Sequence, residues 1–179
     1  MFRRLAALGI AAVPAAFVAD RVLAALRGGA APEPLRMMVV VDAPIEATWA
    51  AVADIRLQTE WMREMQDVVV STMGATHVGT RAMATVRIFG ISVTDPVEVV
   101  ELQPPHRYAI RHEGLFKGGG LITLEAGAGN ATTIVRWEET LVPPLLPVLG
   151  ALVQAPILRA IFQADLGLLK RLVETGSID

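Results

Sequence analysis

LLPVLGALVQAPILRAIFQADLGLLKRLVE, Leu145 to Glu174, is the last long apolar run of the chain, and its reading decides the fold. At about 100° per residue, Ile161, Phe162, Leu169, Leu172 and Val173 join Leu158 in one arc. Arg159, Gln163, Lys170 and Glu174 fall in the opposite arc. The spacing predicts an amphipathic helix with a defined inside. Pro147 and Pro156 put the continuous helix at Pro156 to Glu174, with Leu145 to Ala155 as a separate or kinked approach. Asp165 is the exception, because it lands in the middle of the apolar arc. An ionised carboxylate buried without partners is strongly unfavourable. Asp165 must therefore meet an Arg, backbone donors, or water in a cavity, and a structural tie and a ligand-facing role both remain open.

Working outward, the elements before this helix read as strand, two short helices and about six strands. Met37 to Asp42 is a β-branched run, and Pro44 then stands at a favourable first helical position with Glu46 in the first turn. Ile45, Trp49 and Val52 recur at helical spacing, so this helix buries one face. Asp54 caps a second short helical piece, Ile55 to Glu60, that leads to Trp61. Strands follow at Asp67–Thr72, Thr80–Phe89, Ile91–Leu102, Tyr108–Glu113, Leu121–Glu125 and Thr132–Leu141. Ala82, Ala84, Val86 and Ile88 share one face of the third of the chain's strands. Gly114 to Gly120 reads as a flexible bend, and Pro143 and Pro144 stop the last strand.

Three readings compete for Met1 to Arg27. Arg3 and Arg4 precede fifteen uncharged residues, Leu5 to Ala19. As a helix these reach about 22 Å at 1.5 Å per residue, short of a ~30 Å hydrocarbon core. As a secretory signal they lack a small residue at Phe17, the −3 position of a cut after Ala19. As an ordinary helix they lie in an interface or pack on the domain. A membrane anchor or signal-like segment at residues 1–27 leads, with membrane association through residues 5–26 and membrane-associated or exported localisation; the alternative is cytoplasmic. Residues 28–36, GGAAPEPLR, are a linker, and residues 175–179 a tail.

The net charge of −2 is uneven. Five arginines against Asp20 and Glu33 make residues 1–36 basic, which leaves the body acidic. A body without a basic stripe gives no footprint for nucleic acid. The chain has no Cys, which removes disulfides, thiolate nucleophiles and Cys-ligated zinc. His77 and His106 sit in turns and His112 in a strand, with no i, i+4 pair, so neither a metal site nor any cofactor is expected. No Ser lies in a nucleophile-elbow context. Aromatics are only 5% of the chain, which suits an interior that is not completely filled.

Five motifs then carry a resemblance. VDAPIEATWAAVAD at Val41–Asp54, VGTR at Val78–Arg81, VVELQPPHRYAI at Val99–Ile110, NATTIVRWEE at Asn130–Glu139 and FQADLGLLKRLVE at Phe162–Glu174 resemble the START-like, Bet v 1-like (SRPBCC) superfamily. Within it the chain is similar to the polyketide cyclase/dehydrase and lipid-transport group, over residues 37–174. The resemblance implies an α+β helix-grip fold: a curved antiparallel sheet of about seven strands wrapped around the C-terminal helix, with two short helices after strand 1. It implies an apolar small-molecule ligand such as a lipid, quinone or polyketide-like compound, with catalysis in only some members. It transfers no catalytic residue.

Trp49, Trp61, Ala82, Ala84, Val86, Ile110, Trp137, Phe162 and Asp165 are the expected cavity residues. In the last strand Thr133, Val135, Trp137, Glu139 and Leu141 share a face, so Glu139 points inward or reaches solvent at the strand end. Tyr108, Ile110 and His112 share a face of their own strand, which sets His112 toward Glu139 as an acid/base pair or leaves it a solvated His. Glu139, His112 and Asp165 are the catalytic candidates. Three functions stay open: binding or transport of a hydrophobic molecule, a cyclase/dehydrase-type enzyme, and a protein-interaction module.

Overall fold

The computed structural model describes residues 15–28, 32–88 and 90–176. Residues 1–14, which hold most of the uncharged N-terminal run, lie outside them. The described elements are helix α1 (15–26), β1 (Leu35–Val41), α2 (Ile45–Ala53), a 3-10 turn at Ile55–Leu57 and α3 (Gln58–Trp61). Then come β2 (Met65–Val70), β3 (Arg81–Ile88), β4 (Ile91–Gln103), β5 (Arg107–His112), β6 (Lys117–Ala126), β7 (Thr133–Val142) and α4 (Pro147–Thr175). The linker therefore gives way to β1 at Leu35.

Strands β2 to β7 meander, each antiparallel to the next, and β1 pairs with β7, giving the order β1-β7-β6-β5-β4-β3-β2. This is the helix-grip arrangement. Period-two alternation sets its concave face. Thr133, Val135, Trp137 and Glu139 of β7 are all buried, as are Asp95, Val97 and Val99 of β4. Leu166, Leu168 and Leu169 of α4 close over them. Trp137 meets Trp61 edge-on, with centroids 6.0 Å apart, and stacks at a tilt on Phe162 of α4 at 4.7 Å.

Two expectations change, and the polar arc of α4 gains partners. First, α4 is continuous from Pro147, so the segment before Pro156 is not a separate approach. Pro156 costs the helix one backbone donor and is exposed, where neighbouring carbonyls can turn to water. Asp20 of α1 supplies what the first turn needs. Its Oδ1 accepts from the Val148 and Leu149 N–H groups at 2.9 and 2.8 Å, while Leu146, at φ 54°, gives no side-chain cap.

Second, Gly118, Gly119 and Gly120 are no bend but part of β6. A Cβ on each would overlap Thr140 O, Ile110 O or Glu139 Oε2 respectively, so close approach rather than flexibility is what selects glycine here.

The polar arc of α4 serves the neighbouring strand. Arg159, Gln163 and Lys170 donate to the carbonyls of Arg36, Met38 and Val40, every second residue of the edge strand β1. Gln163 and Glu174 accept from the N–H groups of Met38 and Asp42. The helix thus satisfies an edge that would otherwise template strand addition. By length and composition alone α4 would be long and apolar enough to cross a membrane. Its second half is nonetheless the gripped helix of the domain.

Candidate functional site

A cavity of about 380 Å³ lies between the concave face of the sheet and α4. That is within the ~300–1,000 Å³ typical of small-molecule sites. Ala84, Val86 and Ile88 of β3, Val93, Asp95 and Val97 of β4, and Ile110 and His112 of β5 form one wall. Trp137, Glu139 and Leu141 of β7 continue it, and Gln154, Ile157, Leu158, Phe162 and Asp165 of α4 face it. Gln58, Met62, Glu64 and Met65 close one end, and Ile91 and Phe116 also border the space. The small side chain of Ala84 is one reason the space exists.

Besides Gln58 and Gln154, two ionisable clusters interrupt this apolar surface. In the first, His112 Nε2 stands 3.1 Å from Glu139 Oε1, and Nδ1 makes a longer contact of 3.4 Å with Asp95 Oδ2. Glu139 Oε2 accepts from Trp137 Nε1 at 2.9 Å, and Asp95 Oδ1 from the Leu115 N–H at 2.7 Å. Gly120 and Gly114 make room for these carboxylates, since a Cβ at either would overlap Glu139 Oε2 or Asp95 Oδ1. Burial disfavours the imidazolium, but Glu139 and Asp95 together outweigh it and raise the His112 pKa above its ordinary value. The imidazole is held between two buried carboxyl groups, which favour its protonated form.

The second polar group is Asp165 with Glu64. Asp165 Oδ1 accepts from the Arg63 N–H at 3.1 Å. Burial pushes the Asp165 carboxyl up to about 7; the Arg63 N–H opposes the rise and the adjacent Glu64 carboxyl adds to it. Glu64 Oε2 is buried without a hydrogen-bond partner. Asp165 thus meets a backbone donor and the cavity, and among the described residues no Arg side chain bonds to it, although the Arg63 charge opposes the rise.

A sequence profile of the family described as polyketide cyclase/dehydrase and lipid transport matches residues 35–174. The chain belongs to that family. Solved structures repeat the fold. A START superfamily protein from Mycobacterium smegmatis is 16% identical at a TM-score of 0.60, covering 79% of this chain and 99% of that one. The Zhui aromatase/cyclase from Streptomyces sp. R1128 is 17% identical at 0.58, covering 80% and 96%. A Thermus thermophilus protein is 18% identical at 0.64, covering 80% and 99%. No curated protein matches the sequence.

In this polyketide cyclase/dehydrase and lipid-transport family member, six of the nine expected cavity residues border the space: Ala84, Val86, Ile110, Trp137, Phe162 and Asp165. Three do not. Trp49 is half-buried, because the inner stripe of α2 is centred on Ile45, Thr48 and Val52. Trp61 packs on the edge of Trp137, and Ala82 sits in the filled part of the core. His112 and Glu139 are brought together, and Asp165 stands with Glu64 instead. Asp95 and Glu64 are additions that sequence reasoning missed. The row Val93, Asp95, Val97, Val99 carries a signal for Asp95, a charge at an inward position of an alternating strand. Glu64, between α3 and β2, has none.

Proposed function

We propose that this protein binds, and hands on, a hydrophobic small molecule such as a lipid, quinone or polyketide-like compound. The observation that carries the reading is the cavity of about 380 Å³ between sheet and α4, walled mainly by Ala, Val, Ile, Leu, Met and aromatic side chains. An open apolar space forfeits dispersion contacts that a ligand restores. The cavity also weighs against the pure protein-interaction module, which needs no such space. Native mass spectrometry of gently extracted protein tests the proposal. A co-purifying lipid-sized adduct supports it; a bare protein that also ignores a panel of apolar probes refutes it.

A second reading, a cyclase/dehydrase-type enzyme, is favoured by His112 between two carboxylates at the cavity wall. His112→Ala or Glu139→Gln then abolishes turnover of a polyketide-like substrate at temperatures where circular dichroism shows each variant still folded. Turnover that persists in the folded variants indicates a structural role.

Membrane association through residues 5–26 belongs to the same proposal. It is supported by the exposed Val18, Val22 and Leu26 of α1, and by Leu145, Leu152 and Val153 in and beside the first part of α4. A membrane-associated or exported location follows from it. Flotation of full-length chain with vesicles, compared with chain lacking residues 1–27, is the test, and equal flotation contradicts it. The acidic body supports the absence of a nucleic-acid partner.

A further inference from the structure

The cavity wall has a marked imbalance between donors and acceptors. Among the described residues its ionisable groups are Glu64, Asp95, Glu139, Asp165 and His112, and neither Lys nor Arg borders it. Each side-chain nitrogen that reaches the wall already has a partner within the protein, although the two amides, Gln58 and Gln154, each keep a second N–H. Gln58 Nε2 gives to Tyr108 Oη, Gln154 Nε2 to Leu141 O, and Trp137 Nε1 to Glu139 Oε2. Both nitrogens of His112 face carboxylates.

The acceptors, by contrast, are under-used. Glu64 Oε2 and Asp95 Oδ2 are buried without a hydrogen bond, the latter with only its 3.4 Å contact to the imidazole. Asp95 and Asp165 are 7% and 2% exposed. An unfilled buried acceptor is costly, so the wall favours a donor over another acceptor. Burial is the main cause of the elevated Asp165 pKa, and the adjacent Glu64 carboxyl adds to it while the Arg63 N–H and charge oppose it.

We propose that the ligand of this cavity is an apolar amine, whose protonated nitrogen sits at the Glu64–Asp165 pair while its hydrocarbon fills the Ala84–Val86–Phe162 space. An ammonium brings three donors and one positive charge to two carboxyls. A fatty-acid carboxylate or a phosphate head brings acceptors only, and meets like charge on the same wall. The inference rests on the proposed apolar-ligand reading and narrows it to one chemical class.

The test is competition for full-length protein between Nile red, a neutral probe, and three twelve-carbon compounds: dodecylamine, 1-dodecanol and dodecanoate. The expected order is amine, then alcohol, then carboxylate, with the amine about tenfold or more tighter than the alcohol, a difference of about 1.4 kcal/mol. In the Glu64→Gln/Asp165→Asn variant, checked for folding by circular dichroism, the amine-to-alcohol ratio falls to about one. Should that variant not fold, Glu64→Gln alone is read in the same way, with the ratio falling severalfold. Dodecanoate binding as tightly as dodecylamine overturns the proposal, as does an unchanged ratio in the folded variant. If Nile red and all three chains fail to bind, the apolar-ligand reading itself fails, and the two failures are distinct.

Discussion

Gly120 and Glu139 are paired across β6 and β7, and a Cβ on Gly120 would overlap Glu139 Oε2, the oxygen that accepts from Trp137 Nε1. The absence of one methyl group therefore seats the carboxylate that holds His112. Gly120→Ala is expected to displace Glu139 at a cost of about 1–3 kcal/mol, the range for overpacking a filled site. The pKa of His112, followed by NMR, falls with it. An unchanged titration would mean that Glu139 does not need the space.

His112 makes stability depend on pH in a definite direction. Its folded pKa lies above the ordinary 6.5, so the folded state binds the proton more tightly. The resulting stabilisation is full below about pH 6.5 and is lost as pH rises through the folded value. Urea unfolding of wild type and His112→Gln at about pH 5.5 and about pH 8.5 reads this difference, in which each tenfold gain in proton affinity on folding contributes about 1.4 kcal/mol. The wild-type advantage is expected to shrink at the higher pH. An advantage that grows there would mean that the imidazole is neutral in the fold.

Asp20 ties α1 to α4. Asp20→Ala leaves the Val148 and Leu149 N–H groups without their acceptor, and is expected to cost about 1–2 kcal/mol. Hydrogen exchange at those two amides checks it directly. Faster exchange there, with the Leu166–Leu169 amides still protected, is the expected pattern; unchanged exchange would show that the first turn is held by other means.

Much of this architecture is legible in the sequence because alternation and amphipathicity are local. The inward row of β7, from Thr133 to Glu139, follows from period two alone, and the inner arc of α4 from period 3.6. What escapes such a reading depends on contacts distant in sequence. A proline usually ends or kinks a helix, and nothing near Pro147 shows that Asp20, more than a hundred residues earlier, caps a helix starting there. Glycines usually mark bends, and only the partners of Gly118 to Gly120 across β5 and β7 show why a strand needs them. Period 3.6 gathers the polar residues of α4 in one arc but does not show that Arg159, Gln163 and Lys170 serve the open edge of β1. In the site, the strand register that meets His112 with Glu139 follows from facing rows, but the approach of Glu64 to Asp165 depends on how the segment after α3 folds back onto α4.

The central claim is that an apolar molecule occupies the space between sheet and α4, and methyl NMR tests it most directly. On adding 1-dodecanol to Ile/Leu/Val-labelled full-length protein, shifts are expected at Val86, Ile88, Ile110, Ile157 and Leu158, which border the cavity. Shifts confined to the exposed methyls of Val18, Val22, Leu152 and Val153, with the cavity methyls unmoved, would contradict it.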